Sequence, residues 1–143
     1  MLKKYILENG VPDVVHLQSA LAGKLALWLL KEYQIPFLVT EHSSAFQRKQ
    51  LSSSELAIAK EDFSSSKINI AVSEALAHDL TVLFNQNFTV IPNIVDTDYF
   101  TPSTNKSEKF TFLNVAQLNS NKNHQLLIKA FAELVKEKDA RLV

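Results

Sequence analysis

The stretch FTFLNVAQLNSNKNHQLLIKAFAELV, Phe110–Val135, decides how the chain is read. It opens with an apolar run, Phe110, Phe112, Leu113, Val115 and Ala116, which predicts a buried strand. Leu127, Phe131 and Leu134 follow at i, i+4 and i+7, with Ala130 and Val135 beside them, the spacing of an amphipathic helix. Between the two, Asn119–Asn123 supplies turn residues and helix caps. A strand that enters a helix through a polar loop gathers free backbone N–H groups at one point, where the helix dipole favours an anion. Lys122 stands at that entrance, so a phosphate is the natural guest. On spacing alone, the alternative is a solvated lysine in an ordinary β–loop–α unit.

The same alternation runs through the chain upstream. Leu2, Tyr5 and Ile6 predict a short helix that stops at Asn9-Gly10, where glycine takes the left-handed C-terminal position. Asp13–Gln18 reads as a strand, and Ser19 as the cap of a helix over Ala20–Tyr33. Leu21, Leu25, Trp28 and Leu29 make its main face. Ala22, Ala26 and Leu30 extend that face almost all round, so this helix is expected to be mostly buried. Ile35-Pro36 ends it, and the unbroken apolar run Phe37–Thr40 suits a parallel strand covered on both faces. Ser52–Glu55 has capping-box spacing and opens a helix with Leu56, Ala59 and Phe63 inward. Ile68–Val72 is a further strand. Ser73 then caps a helix whose Leu76, Leu80, Leu83 and Phe84 share a face, and Phe88–Ile91 is the fourth strand.

Strands alternating with helices at this pace predict the α/β class, built of βαβ units around a parallel sheet. Thr101–Lys109 is polar and rich in Ser and Thr, and reads as an interdomain linker. The expected organisation is therefore a first domain over 1–100, a linker over 101–109, and the start of a second domain over 110–143.

Composition narrows the function classes. A chain of 143 residues, 46% hydrophobic, is long and apolar enough for a core. Fifteen basic residues balance fifteen acidic ones, so no bulk field recruits nucleic acid. The chain has no cysteine, which excludes disulfides and thiolate metal sites and fits a reducing, cytoplasmic setting. The longest apolar run, Leu25–Leu30, falls far short of the ~20 residues that span a bilayer. Asp96-Thr97-Asp98 has the look of a metal-binding pair but reads better as turn residues bonding nearby backbone. The four histidines, His16, His42, His78 and His124, show no metal-ligand spacing. His78 and His124 fall on helices and read as solvent or rim residues. No Gly-x-Ser-x-Gly elbow anchors a hydrolase triad. The sequons at Asn87 and Asn105 have consequence only on a secretory route.

Five segments, in order, carry a resemblance. DVVHLQ (Asp13–Gln18), FLVTEHSS (Phe37–Ser44), INIAVSEAL (Ile68–Leu76), IPNIVDTDYF (Ile91–Phe100) and FLNVAQLNSNKNHQLLIKAFAEL (Phe112–Leu134) resemble group 1 (family 4) glycosyltransferases of the GT-B fold. In that family the fourth segment joins two Rossmann-like domains and the fifth opens the second. The resemblance implies part of the N-terminal, acceptor-side domain followed by the first β–α–β of the donor-side domain. It implies transfer of a sugar from a nucleotide-diphosphate donor, a UDP- or GDP-sugar, to a saccharide or lipid-linked acceptor with retained configuration. Neither a cofactor nor a bound metal is implied.

Site residues follow from the same resemblance. His42 matches the family's histidine in the cleft near the acceptor and the reacting sugar, and is the catalytic candidate. His16 is the acceptor-side candidate, a satisfied core histidine being the alternative; Gln18 replaces a second histidine there. Lys122 matches the lysine that holds the donor diphosphate. Gln117 stands where the family has an arginine, so it can donate a hydrogen bond but brings no charge. Ala116 and Asn123 replace glycines of this loop, and Ile94 replaces the glycine of the junction. Against the family's length the chain reads as a fragment, inactive alone in sugar transfer. Loss of neighbouring strands would expose a sheet edge and invite self-association. The helix over Ala20–Tyr33 is a weak candidate for peripheral membrane contact of the parent protein. The competing reading is a stand-alone flavodoxin-like α/β binding or regulatory domain, although Asp13 opens a strand where a phosphorylated receiver aspartate would end one.

Overall fold

The computed structural model describes residues 2–104 and 107–143. The linker reading and the second sequon thus lie partly outside the described residues, at Asn105 and Lys106. The chain forms two compact units, Met1–Val95 and Asp96–Val143.

In the first unit the elements are α1 (Leu2–Asn9), β1 (Val15–Leu17), a 3-10 turn (Ala20–Ala22), α2 (Gly23–Tyr33), β2 (Phe37–Glu41), α3 (Ser53–Ser65), β3 (Ile68–Ala71), α4 (Glu74–Phe84) and β4 (Thr89–Val90). The four strands form one parallel sheet in the order β1-β2-β3-β4. This is the parallel α/β architecture that the alternation of elements predicts and the Rossmann-like one that the resemblance implies. Local sequence sets the boundaries. Gly10 takes φ +88 after α1. Ser52 and Glu55 close a capping box on α3, and Ser73 Oγ accepts the Leu76 N–H at the start of α4. Asn85 ends α4 in the left-handed region.

The core lies between the sheet and its helices. Leu17, Phe37, Val39 and Ala71 from the strands meet Ala26, Ala59, Phe63, Leu80 and Phe84 from the helices. Phe63 touches the rings of both Phe84 and Phe88, with centroids about 5 Å apart and the rings tilted or edge-on. Of Phe37–Thr40, predicted to be covered on both faces, Phe37, Val39 and Thr40 are buried and Leu38 is half-buried, and the strand runs on to a buried Glu41.

Two expectations for the helices fail. Leu21 and Leu25 are exposed, whereas Ala20, Gly23, Ala26 and Leu29 are buried. The reason is close approach: α3 lies against α2 and the preceding turn, and only small residues fit between the two backbones. Leu83 likewise is half-exposed, leaving Leu76, Ala77, Leu80 and Phe84 as the inward face of α4.

The second unit holds β5 (Phe110–Phe112), a 3-10 turn (Ser120–Lys122), α5 (His124–Leu134) and β6 (Ala140–Leu142), with β5 and β6 parallel. The strand expected to be buried over Phe110–Ala116 is shorter and exposed: Phe110 is 67% and Val115 86% accessible. A two-stranded sheet with one helix covers one face only, through contacts such as Phe112 on Phe131. At its start, Asp96 Oδ1 accepts the N–H groups of Asp98 and Tyr99, the turn role expected for this aspartate. The positive-φ residues other than glycine among those described are Gln34, Lys49, Asn85 and Asn123. Ile94 therefore passes through the junction segment without left-handed backbone.

Among the described residues no helix is long and apolar enough to cross a membrane.

Candidate functional site

In open parallel sheets, ligands gather at the carboxyl ends of the strands. There, β1 and β2 bring four side chains together. Side chains alternate along a strand. With Leu17, Phe37 and Val39 turned into the core, His16 and Thr40 occupy the opposite sheet face. His16 Nε2 lies 2.7 Å from Thr40 Oγ1 and 3.3 Å from Gln18 Nε2. Gln18 Oε1 in turn lies 3.0 Å from His42 Nε2. Thr40, His16, Gln18 and His42 thus form one hydrogen-bonded chain across the ends of the two strands. His16 is exposed, which argues against the alternative of a core histidine.

Glu41, which sequence reasoning missed, holds this end of the sheet. It is fully buried. Its Oε1 accepts the N–H groups of His42 and Ser43, at 3.0 and 2.8 Å. Its Oε2 accepts the Ala20 N–H at 3.1 Å and the Ser19 hydroxyl at 3.5 Å. A single carboxylate therefore ties the loop after β2 to the start of the helical segment after β1. Both strand ends that carry the histidine–glutamine chain are fixed by it. The three contacts of 3.1, 3.0 and 2.8 Å are of ordinary hydrogen-bond length, and the Ser19 contact at 3.5 Å adds little.

Beyond His42 the loop after β2 borders a groove of about 540 Å³, lined by Phe46, Leu51, Leu56, Val82 and Leu83 among others. Gln47 Nε2 donates to Asp79 Oδ2 across its rim at 2.8 Å. None of His16, Gln18, Thr40 and His42 lines this groove. The polar chain and the apolar groove share a loop and are separate features.

In the second unit the polar loop before α5 is organised by its own side chains. Asn119 Oδ1 accepts the Lys122 N–H at 3.2 Å, and the Asn123 N–H bonds to the Ser120 carbonyl. Two of the N–H groups expected to be free at the helix entrance are thus used within the loop. Asn123 takes φ 48, the left-handed conformation that asparagine tolerates in a glycine's place.

His124, read as a solvent or rim residue, is half-buried and spans the loop. Its Nε2 donates to the Gln117 carbonyl at 2.9 Å, and its Nδ1 accepts from Asn114 Nδ2 at 3.0 Å. A cleft of about 440 Å³ beside this loop is lined by Leu118, Asn119, Ser120, Asn123, His124 and Gln125. Lys122 and Gln117 are exposed and lie next to those residues in sequence, outside the lining. Among the described residues no cluster of three or more histidine or carboxylate side chains could hold a metal ion.

Comparison with known proteins bears on the family and the fold. A search of curated proteins gave no match. The family model of Glycosyltransferase Family 4 matches residues 1–99, the span that contains the whole four-stranded sheet and the Thr40–His16–Gln18–His42 chain. With more than half of its length matched, the chain belongs to Glycosyltransferase Family 4 and has the parentage of a glycosyltransferase.

Proposed function

We propose that the protein serves transfer of a sugar from a nucleotide-diphosphate donor, UDP- or GDP-linked, to a saccharide or lipid-linked acceptor, with retention of configuration. The first unit is the acceptor-side domain of a GT-B enzyme, and the second begins its donor-side domain. His42 is the group that meets the reacting sugar, and His16 supports it on the acceptor side. Lys122 and Gln117 hold the donor diphosphate: the ammonium opposes the charge that grows there as the glycosidic bond breaks, and the carboxamide adds a neutral hydrogen bond. The observation that carries this reading is the hydrogen-bonded histidine–glutamine chain at the carboxyl ends of β1 and β2, within the span matched by the family.

Thermal shift with UDP and GDP, and with acetyl phosphate as the control, tests it. Stabilisation by a nucleoside diphosphate alone, reduced in Lys122→Ala, is expected. Stabilisation by acetyl phosphate alone would instead favour a phosphate-responsive regulatory domain. In a transfer assay with common nucleotide sugars the isolated chain is expected to be silent.

A further inference from the structure

Gln18 joins the two histidines through the two ends of its carboxamide, Oε1 toward His42 Nε2 and Nε2 toward His16 Nε2. One end of a carboxamide only accepts and the other only donates. The accepting end therefore takes the proton of His42 Nε2. The donating end sets its N–H on His16 Nε2, which must carry a lone pair. Thr40 Oγ1, 2.7 Å from that same nitrogen, then donates its hydroxyl hydrogen to it. A neutral imidazole has a single N–H. His42 is accordingly the Nε2–H form and His16 the Nδ1–H form. The latter is the minor tautomer of free neutral histidine, so the surroundings impose it.

We infer that Gln18 is a positioning residue that fixes opposite tautomers on His16 and His42, so that His42 presents the lone pair of Nδ1 to a hydroxyl of the bound saccharide. The saccharide half of this inference rests on the reading of His42 as the group that meets the sugar. A lone pair on Nδ1 accepts from a hydroxyl and repels an ionised phosphate oxygen, which has only lone pairs to offer. The ring is thus selective for the hydroxyl-bearing part of a nucleotide sugar, and the diphosphate must be held elsewhere.

Gln18→Glu is the informative substitution. It keeps the shape of the side chain and replaces its donating end with a second acceptor. His16 must then turn its proton to Nε2 to meet the carboxylate, while His42 keeps its own. A role for Gln18 in packing alone would leave both rings as they were.

The test is long-range proton–nitrogen NMR of the full chain, labelled on histidine, at pH about 8.5, where an ordinary imidazole is neutral. His16→Asn and His42→Asn assign the signals. The wild-type chain is expected to show His42 as Nε2–H and His16 as Nδ1–H, and Gln18→Glu is expected to switch His16 alone to Nε2–H. His16 as Nε2–H in the wild-type chain, or a Gln18→Glu spectrum with both rings unchanged, overturns the positioning role. Saturation with UDP-glucose and GDP-mannose in turn is expected to move the His42 Nδ1 resonance upfield, as a nitrogen that has gained a donor. If the tautomers hold and that resonance stays still with both, Gln18 keeps its role and the saccharide assignment of the site falls.

Discussion

Asp62 shows how one residue can set the pH response of a domain. It is fully buried on α3, and neither carboxylate oxygen has a hydrogen-bond partner among the described residues. Burial, with a smaller push from the charge of Glu61, raises its pKa from the ordinary 3.8 to about 7. In the unfolded chain the carboxyl gives up its proton near the ordinary value, whereas the folded protein keeps it until about pH 7. Between those limits the unfolded state binds fewer protons, so stability falls as pH rises; above the upper limit both states are ionised and the fall stops. At 1.36 kcal/mol per pKa unit the ceiling is about 4 kcal/mol, and screening of the exposed Glu61 brings the expectation to about 2–4 kcal/mol. Asp62→Asn keeps the shape and cannot ionise. Urea unfolding at pH 4, 6 and 8 should show the variant's advantage smallest at pH 4 and grown by that amount at pH 8. An advantage independent of pH would remove the buried acid as its source.

The acid's effect is bound up with the contact between α2 and α3. A Cβ added to Gly23 would lie 1.5 Å from Asp62 Oδ2, so this glycine is required by the space beside it. Gly23→Ala should destabilise by about 1–3 kcal/mol as an overpacked contact. In a double-mutant cycle with Asp62→Ala, most of that cost should vanish, giving a coupling above about 1 kcal/mol. Additive effects would show that the two residues do not share this contact. Here the sequence was only partly legible. The strands of the first unit, the Ser52–Glu55 box and the Ser73 cap follow from local spacing and appear where expected. The buried face of α2 does not follow from apolarity, because large leucines outweigh small residues in any hydrophobic pattern. The stripe Ala20, Gly23, Ala26 recurs every three residues, and a lone glycine inside a helical pattern points to packing. Asp62 was legible in the same way, since Ala59, Asp62 and Phe63 share one helical face. At the candidate site His42 could be placed from its position just past an apolar strand. Glu41 could not, because a charged residue ending such a run looks like the exit to solvent. Its four partners come from two separate segments, and only the fold brings them together.

At the scale of the whole chain, burial is unevenly divided. Buried side chains come from the first unit, and no described residue of Asp96–Val143 is buried. Leu113, Leu118, Leu126 and Ile128 of the second unit are each at least 60% accessible. Burying one such side chain fully is worth about 1.5–3 kcal/mol, so leaving several in water removes most of what would oppose chain entropy there. The hydrogen bonds of β5, α5 and β6 are therefore expected to open locally, with a free energy well below that of the first unit's sheet. Native-state hydrogen exchange on the full chain measures this directly. Amides of β2 and β3 should exchange slowest, through the largest opening. Those of β5 and α5 should exchange faster by at least about two orders of magnitude, a gap of roughly 2.7 kcal/mol in opening free energy. The comparison also separates weak local structure from a second unit covered by another molecule. If protection in β5 and α5 rises with protein concentration, a second copy covers the exposed face; if it equals that of β2 and β3 at every concentration, the inference from burial is wrong.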